Sequence, residues 1–305
     1  MTDAAPRVLA VDGGQSTIRV RHSSGLGAVV PGVSWRGPST VPATAAAILD
    51  SWRLAGAEPV DVAVLGLTTV PDDGEGSARL AQLVADGLKT DRIVLCDDGL
   101  TSHAGAFGGD WGVALSIGTG VACAVRGPEQ ATTRLVGGHG YLLGDEGGAF
   151  WIGRAGIVAA LRAADGRGPS TALGAAAEAR FGAASGIPIR LHSSERAVDE
   201  IAHFAPEVLT AARHGDAVAQ GIVDDAVAEL ALVARTARRD AGAHDGTPLV
   251  ILGRLGAELA PRVVERLSDD PDAFAPRAPL GDALDGALLL AHSAADDGLH
   301  IWTRG

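Results

Sequence analysis

The sequence predicts an α/β protein made of two related halves, each a sheet with helices on its faces. Three observations carry that prediction. Apolar runs of strand length alternate with helix-periodic stretches along most of the chain. An apolar strand, a glycine/hydroxyl turn and a second apolar strand occur at Val8–Val20, and the same layout returns at Trp111–Val125. A glycine-dense segment, Gly137–Gly153, then sets one acidic pair, Asp145–Glu146, among apolar and aromatic residues. Glycine at that density is tolerated where backbone passes close to something or takes φ > 0. The plainer alternative is a glycine hinge with solvated carboxylates.

Arg7–Val11 reads as a strand buried on both faces and runs into Asp12-Gly13-Gly14-Gln15-Ser16-Thr17, after which Ile18–Arg21 returns. Strand, glycine turn, strand is a hairpin and not a dinucleotide-binding strand-to-helix turn. Asp12 at the strand end can reach a magnesium ion through water; an ordinary hairpin with a turn aspartate competes with that reading. Thr44–Leu54 and Ser77–Gly87 carry apolar residues at three- and four-residue spacing and are predicted helices. Asp61–Leu67 and Arg92–Cys96 are predicted buried strands. Ligands of such sheets sit beyond the carboxyl ends of the strands, so Asp12, Thr68 and the pair Asp97-Asp98 stand out. A carboxylate before the helix Leu100–Gly105 is either a helix cap or a base for a substrate hydroxyl.

The second half opens with strands Trp111–Ile117 and Val121–Val125 around Gly118-Thr119-Gly120. Two facing glycine hairpins can hold a phosphate chain with backbone amides. A helix is predicted at Ala149–Ala164 and broken by DGRGP at 165–169; from Ser170 to Gly242 the chain is alanine-rich and helical, ending in the amphipathic helix Ala217–Ala241. Pro248–Leu252 is a strand leading through Gly253-Arg254-Leu255-Gly256 into a helix, Ala257–Leu267. A last helix is predicted at Leu284–Ala294, and the tail from Asp296 reads as polar and frayed.

Composition bounds the chemistry. The 305 residues are 47% hydrophobic and 20% charged, which suits a globular protein of about two domains. No run reaches the roughly 18 apolar residues of a membrane span. The start, MTDAAPRVLAVDGG, lacks a basic n-region and an apolar h-region, so no secretory signal is expected, and the cytoplasm is the expected compartment. A net charge of −12 leaves no basic stripe for a nucleic-acid backbone. Lys89 is the only lysine, so GxxxxGK[ST] phosphate binding is excluded and any phosphates fall to backbone amides and hydroxyls. Cys96 and Cys123 lie in apolar strands and are expected to be buried and reduced.

With these residues in view, the chain resembles the BadF/BadG/BcrA/BcrD family, and within it the N-acetylglucosamine kinases of the actin-like ATPase and sugar kinase superfamily. The motifs are Asp12–Thr17, Asp98 with its helix, Gly118–Gly120, GGHGYLLGDEGGAFWIGRAG with DGRGP, VILGRLG and LGDALDGALLLA. The resemblance implies two ribonuclease H-like lobes with a central ATP/sugar cleft. The lobes are expected at 1–104 and 105–305, with a helical insertion near 165–245 and the last helix, near 284–295, packing back on the first lobe. It implies ATP and Mg2+, with Asp12 as the metal-associated aspartate. Gly13, Gly14, Gln15, Ser16 and Thr17 then form the first phosphate loop, Gly118, Thr119 and Gly120 the second, and Gly253, Arg254 and Gly256 the adenosine segment. Asp98 is the implied base for a sugar 6-hydroxyl, and Thr68, Val121, Gly138, His139, Gly140 and Asp145 are implied on the sugar side. Four positions depart from the usual pattern: Gln15 replaces a glycine, Val121 and Gly148 replace serines, and His139 replaces a tryptophan.

The expected activity is ATP-dependent phosphorylation of an amino sugar, N-acetylglucosamine first, by a homodimer. Alternatives are a glucosamine kinase, an activator-type ATPase with an interfacial iron–sulfur cluster, and a non-catalytic sugar sensor. The buried positions of the cysteines argue against the second. A repressor-type sensor is expected to carry an N-terminal helix-turn-helix, and the first strand is read from Arg7.

Overall fold

The structure, a computed structural model, describes residues 5–33, 37–71, 74–242, 245–268, 274–292 and 299–304. In chain order the elements are β1 (Val8–Gly13), β2 (Thr17–His22), β3 (Gly27–Pro31), α1 (Val41–Leu54), β4 (Val62–Leu67), α2 (Gly74–Leu88), β5 (Arg92–Asp97) and α3 (Asp98–Phe107). They continue with β6 (Gly112–Ile117), β7 (Val121–Arg126), β8 (Arg134–Gly137), α4 (Ala149–Ala164), α5 (Leu173–Phe181), α6 (Ile187–His192), α7 (Ala197–Ala202), α8 (Ala205–Arg213) and α9 (Ala217–Asp240). The last are β9 (Thr247–Leu252), α10 (Arg254–Ser268), β10 (Phe274–Pro276), α11 (Ala283–Leu290) and β11 (His300–Thr303). Contacts divide the chain into unit 1, Met1–Ala114 with Ala124–Arg134 and Arg277–Gly305, and unit 2, Leu115–Cys123 with Leu135–Pro276.

The sheet of unit 1 runs β11-β5-β4-β1-β2-β3. β1, β4 and β5 are parallel, while β2 is antiparallel to both of its neighbours. Apolar runs without alternation make sense here because both faces are covered. Leu9, Val11, Leu65 and Leu95 point into a core with Ile48, Leu80 and Val84 of α1 and α2. The intervening Val8, Ala10, Val64 and Val94 meet Leu100 of α3 and Leu284 and Ala287 of α11. The other sheet runs β10-β9-β6-β7-β8, which repeats the first order with β6, β7, β8, β9 and β10 in the places of β1 to β5. This is the ribonuclease H-like arrangement, present twice.

Two terminal expectations are corrected. Helix α11 stops at Leu290 instead of Ala294, with Ala291 as its C-cap where the apolar pattern gives way to His292. Residues 293–298 lie outside the described residues, and 300–303 are a strand, not a frayed tail. β11 pairs antiparallel with β5, Ile301 opposite Val94 and Trp302 opposite Ile93. Trp302 and Ile301 pack onto the cores of opposite sheet faces. No helix among the described residues is long and apolar enough to cross a membrane.

Candidate active site

In unit 1 the first glycine loop is the β1–β2 turn. Gly14 N–H donates to the Thr17 carbonyl at 2.8 Å, closing it, and Gly32 N–H donates to the Ser16 carbonyl at 2.9 Å, pinning it from outside. A Cβ on Gly32 would lie 2.3 Å from the Gly14 carbonyl oxygen, so only glycine lets the chain pass that close. Ser16 and Thr17 are exposed at the tip, and Gly13 is buried. Gly13, Gly14, Gln15, Thr44, Thr68 and Thr69 share a concave pocket. Asp12 stands opposite Arg19 across the hairpin, and Arg19 donates to its Oδ2 through Nε at 2.8 Å and Nη2 at 2.5 Å. Among the described residues no three His, Cys, Asp or Glu side chains gather as a metal cage. A single strand-end carboxylate beside a phosphate-type loop does fit magnesium, which keeps most of its waters and shares nucleotide oxygens.

The β5–α3 junction separates the two roles open to its carboxylates. Asp97 is the N-cap of α3, accepting from Gly99 N–H at 2.8 Å. Asp98 is free of that duty; its Oδ2 accepts the Thr68 hydroxyl at 2.6 Å. The Thr68 hydroxyl also lies 3.4 Å from the Gly13 carbonyl oxygen, and its amide donates to that carbonyl at 3.0 Å, which ties the carboxylate to the glycine loop. Burial pushes the Asp98 carboxyl up to about 7; the charge of Asp97 adds to this, Thr68 opposes it, and Asp12 adds a smaller push. Burial also raises Asp97, opposed by the Gly99 N–H. A carboxylate tuned near neutrality is suited to accept a hydroxyl proton.

In unit 2 the loop Gly118–Gly120 is held from several sides. Gly118 N–H donates to the Gly120 carbonyl at 2.9 Å, and the first amides of α4 reach back: Ala149 to Gly118 and Phe150 to Thr119, both at 2.9 Å. Burial raises the pKa of the Asp145 carboxyl, opposed by the backbone N–H groups of Val121 and Gly140. The Val121 side chain is buried. Gly138 and His139 are exposed, and Gly140 accepts from Leu143 and Gly144, closing the turn that leads to Asp145. Gly253, at φ 87°, passes β6 so closely that a Cβ would sit 2.3 Å from the Ile117 carbonyl oxygen. Arg254 opens α10 and is exposed, whereas Gly256 is buried, with Ile251 3.2 Å from where its Cβ would be. Gly256 thus serves helix-to-sheet packing.

Sequence reasoning missed Arg19, Thr44 and Thr69. Arg19 was within reach, since a tight hairpin pairs it with Asp12; the threonines come to the loop through the fold of α1 and β4. Cys96 and Cys123 are buried and free, and burial pushes both thiols up to about 12, far from thiolate ligands.

The profile of the BadF/BadG/BcrA/BcrD ATPase family matches residues 9–290. A segment is 37% identical over 82 residues to the N-acetylmuramic acid/N-acetylglucosamine kinase of Clostridium acetobutylicum; the match spans 27% of this chain and 26% of that relative. Among solved structures, a candidate N-acetylglucosamine kinase from Chromobacterium violaceum superposes with a TM-score of 0.74 at 25% identity, covering 94% of this chain and 99% of that one. A second candidate N-acetylglucosamine kinase, from Porphyromonas gingivalis, gives 0.71 at 17% identity, covering 93% and 98%, and shares the fold.

Proposed function

Because this chain belongs to the BadF/BadG/BcrA/BcrD ATPase family, we propose that it transfers the γ-phosphoryl group of ATP to a hydroxyl of an amino sugar, the 6-hydroxyl of N-acetylglucosamine first. The observation that carries the reading is Asp98: a half-buried carboxylate, relieved of capping by Asp97, bonded to Thr68 at 2.6 Å beside a glycine loop, and raised to about 7. The likenesses to amino-sugar kinases support the acceptor class.

In this reading Asp98 accepts the proton of the sugar hydroxyl as the phosphoryl group moves. Amides of Gly13–Thr17 and of Gly118–Gly120 hold phosphate oxygens, and Gly253 and Arg254 border the adenosine. Asp12 would hold magnesium, its orientation fixed by Arg19; the bound ion neutralises negative charge on the phosphates. Gly138, His139, Gly140 and Asp145 orient the sugar. Positioning and charge stabilisation supply most of the rate.

The test is an ADP-release screen over N-acetylglucosamine, glucosamine, glucose, N-acetylmannosamine and N-acetylmuramic acid, with Asp98→Asn alongside. Turnover on the preferred sugar should fall by about 10²–10⁴-fold in the variant while nucleotide binding holds. Sugar-dependent ADP release unchanged in Asp98→Asn would remove Asp98 from the base role. No stimulation by any of the sugars would overturn the acceptor class.

A further inference from the structure

We infer that Asp145 is a positioning residue for the second glycine loop, over and above any contact with sugar: its carboxylate staples Gly118–Val121 to the turn Gly138–Gly144. The inference rests on the kinase reading, in which that loop holds nucleotide phosphates.

Four observations within unit 2 meet at this residue. The backbone N–H groups of both segments, Val121 at the start of β7 and Gly140 in the turn, favour the charged form of its carboxyl. A Cβ on Gly120 would lie 2.2 Å from Asp145 Oδ2 and 2.7 Å from its Cγ, so the loop is glycine where the carboxylate needs the space. Asp145 has φ 61°, a left-handed backbone in which aspartate is strained relative to glycine. The Asp145 carbonyl accepts Gly148 N–H at 3.0 Å, just before the α4 amides that hold Gly118 and Thr119. Gly148 is confined in the same way, since a Cβ there would meet the Thr119 carbonyl oxygen at 2.9 Å and that of Asp145 at 3.0 Å.

The first amides of α4 hold the loop, Gly148 ties the start of α4 to Asp145, and the Asp145 carboxylate closes against Gly120. The strain at Asp145 is stored where two loops must keep a fixed spacing, and a carboxylate, with two acceptor oxygens, can serve both donors at once. A residue whose only task was to touch sugar would need neither the left-handed backbone nor a carboxylate packed against Gly120.

The experiment is ADP binding by calorimetry with no sugar present, for wild type, Asp145→Ala and Asp145→Asn, at a temperature below the melting of all three. Asp145→Ala should bind ADP about tenfold more weakly, and Asp145→Asn about threefold, since an amide keeps one acceptor for two donors. The graded rescue by asparagine marks the staple, because a sugar contact alone leaves sugar-free ADP affinity unmoved in both variants. If Asp145→Ala does not fold, Asp145→Asn carries the test by itself. Wild type that binds ADP, with variants that bind it equally, would overturn this inference and leave the kinase reading standing. Wild type that binds no ADP would overturn both.

Discussion

Replacing Thr68 by valine removes one hydrogen atom that matters, the hydroxyl proton 2.6 Å (heavy-atom distance) from Asp98 Oδ2. That bond favours the ionised carboxyl, against burial and Asp97. A hydrogen bond to a charged group is worth about 1.5–3 kcal/mol, and one pKa unit is about 1.4 kcal/mol. Thr68 is exposed, so water recovers part of the loss, and a rise of about one unit remains. The sign follows from the role. Asp98 works as the carboxylate, so activity rises with pH through its pKa, near 7 in the wild type. With the midpoint near 8, the ionised fraction at pH 7 drops from about one half to about one tenth, a roughly fivefold loss in kcat/KM that vanishes by about pH 9.5. The assay is kcat/KM for the preferred sugar from pH 5.5 to 9.5 in wild type, Thr68→Val and Thr68→Ser, with serine restoring the wild-type limb. An acid limb that stays in place, or a loss equal at pH 6 and pH 9.5, would refute the tuning and make Thr68 a plain sugar contact.

Gly286→Ala should force α3 and α11 apart, because the new Cβ would lie 1.8 Å from the Thr101 carbonyl oxygen and 2.5 Å from the Gly105 nitrogen. About 3 kcal/mol of destabilisation is expected by differential scanning calorimetry, with a fall in kcat because α3 carries Asp98. His103 is buried, bonded to the Gly112 carbonyl at 3.0 Å and lowered to about 4 by burial. A depressed histidine contributes stability above its unfolded pKa near 6.5 that is lost as pH falls through 4. His103→Gln should therefore flatten the decline of the melting temperature between pH 7 and pH 4. For Asp98, raised when folded, the sign is opposite: its ionisation costs stability as pH rises through about 7. The melting temperature of Asp98→Asn should gain on wild type from pH 5 to pH 9, and no gain would refute the burial cost.

Strands with both faces covered were legible because they leave continuous apolar runs, as in LAV at β1 or IVLC at β5. β3 and β8 escaped notice because they are short and largely open to solvent, and β11 because its four residues are recognisable only beside the β5 edge that they pair with. At the site, residue types and turns could be read locally: Asp12, Asp98, the glycine loops, the Asp145 segment. Which of Asp97 and Asp98 caps α3 could not, since either fits the local pattern and Thr68, thirty residues away, decides it. The α3–α11 crossing was equally hidden. Gly105 and Gly286 look like ordinary helix glycines until a Cβ on Gly105 is found 1.9 Å from the Asp282 carbonyl oxygen.

The return of α11 to unit 1 bears on the order in which the protein can be made. Leu284, Ala287 and Ala291 complete an apolar face whose other members, Val8, Ala10, Val62 and Val94, are synthesised first. On the ribosome those strands emerge early and wait, one face covered only in part by Leu100 of α3, until α11 has been translated, by which time the 135–276 stretch of unit 2 is already out. The nascent first half is thus a natural client for chaperones, and a premature stop before α11 leaves a polypeptide with a permanently open seam.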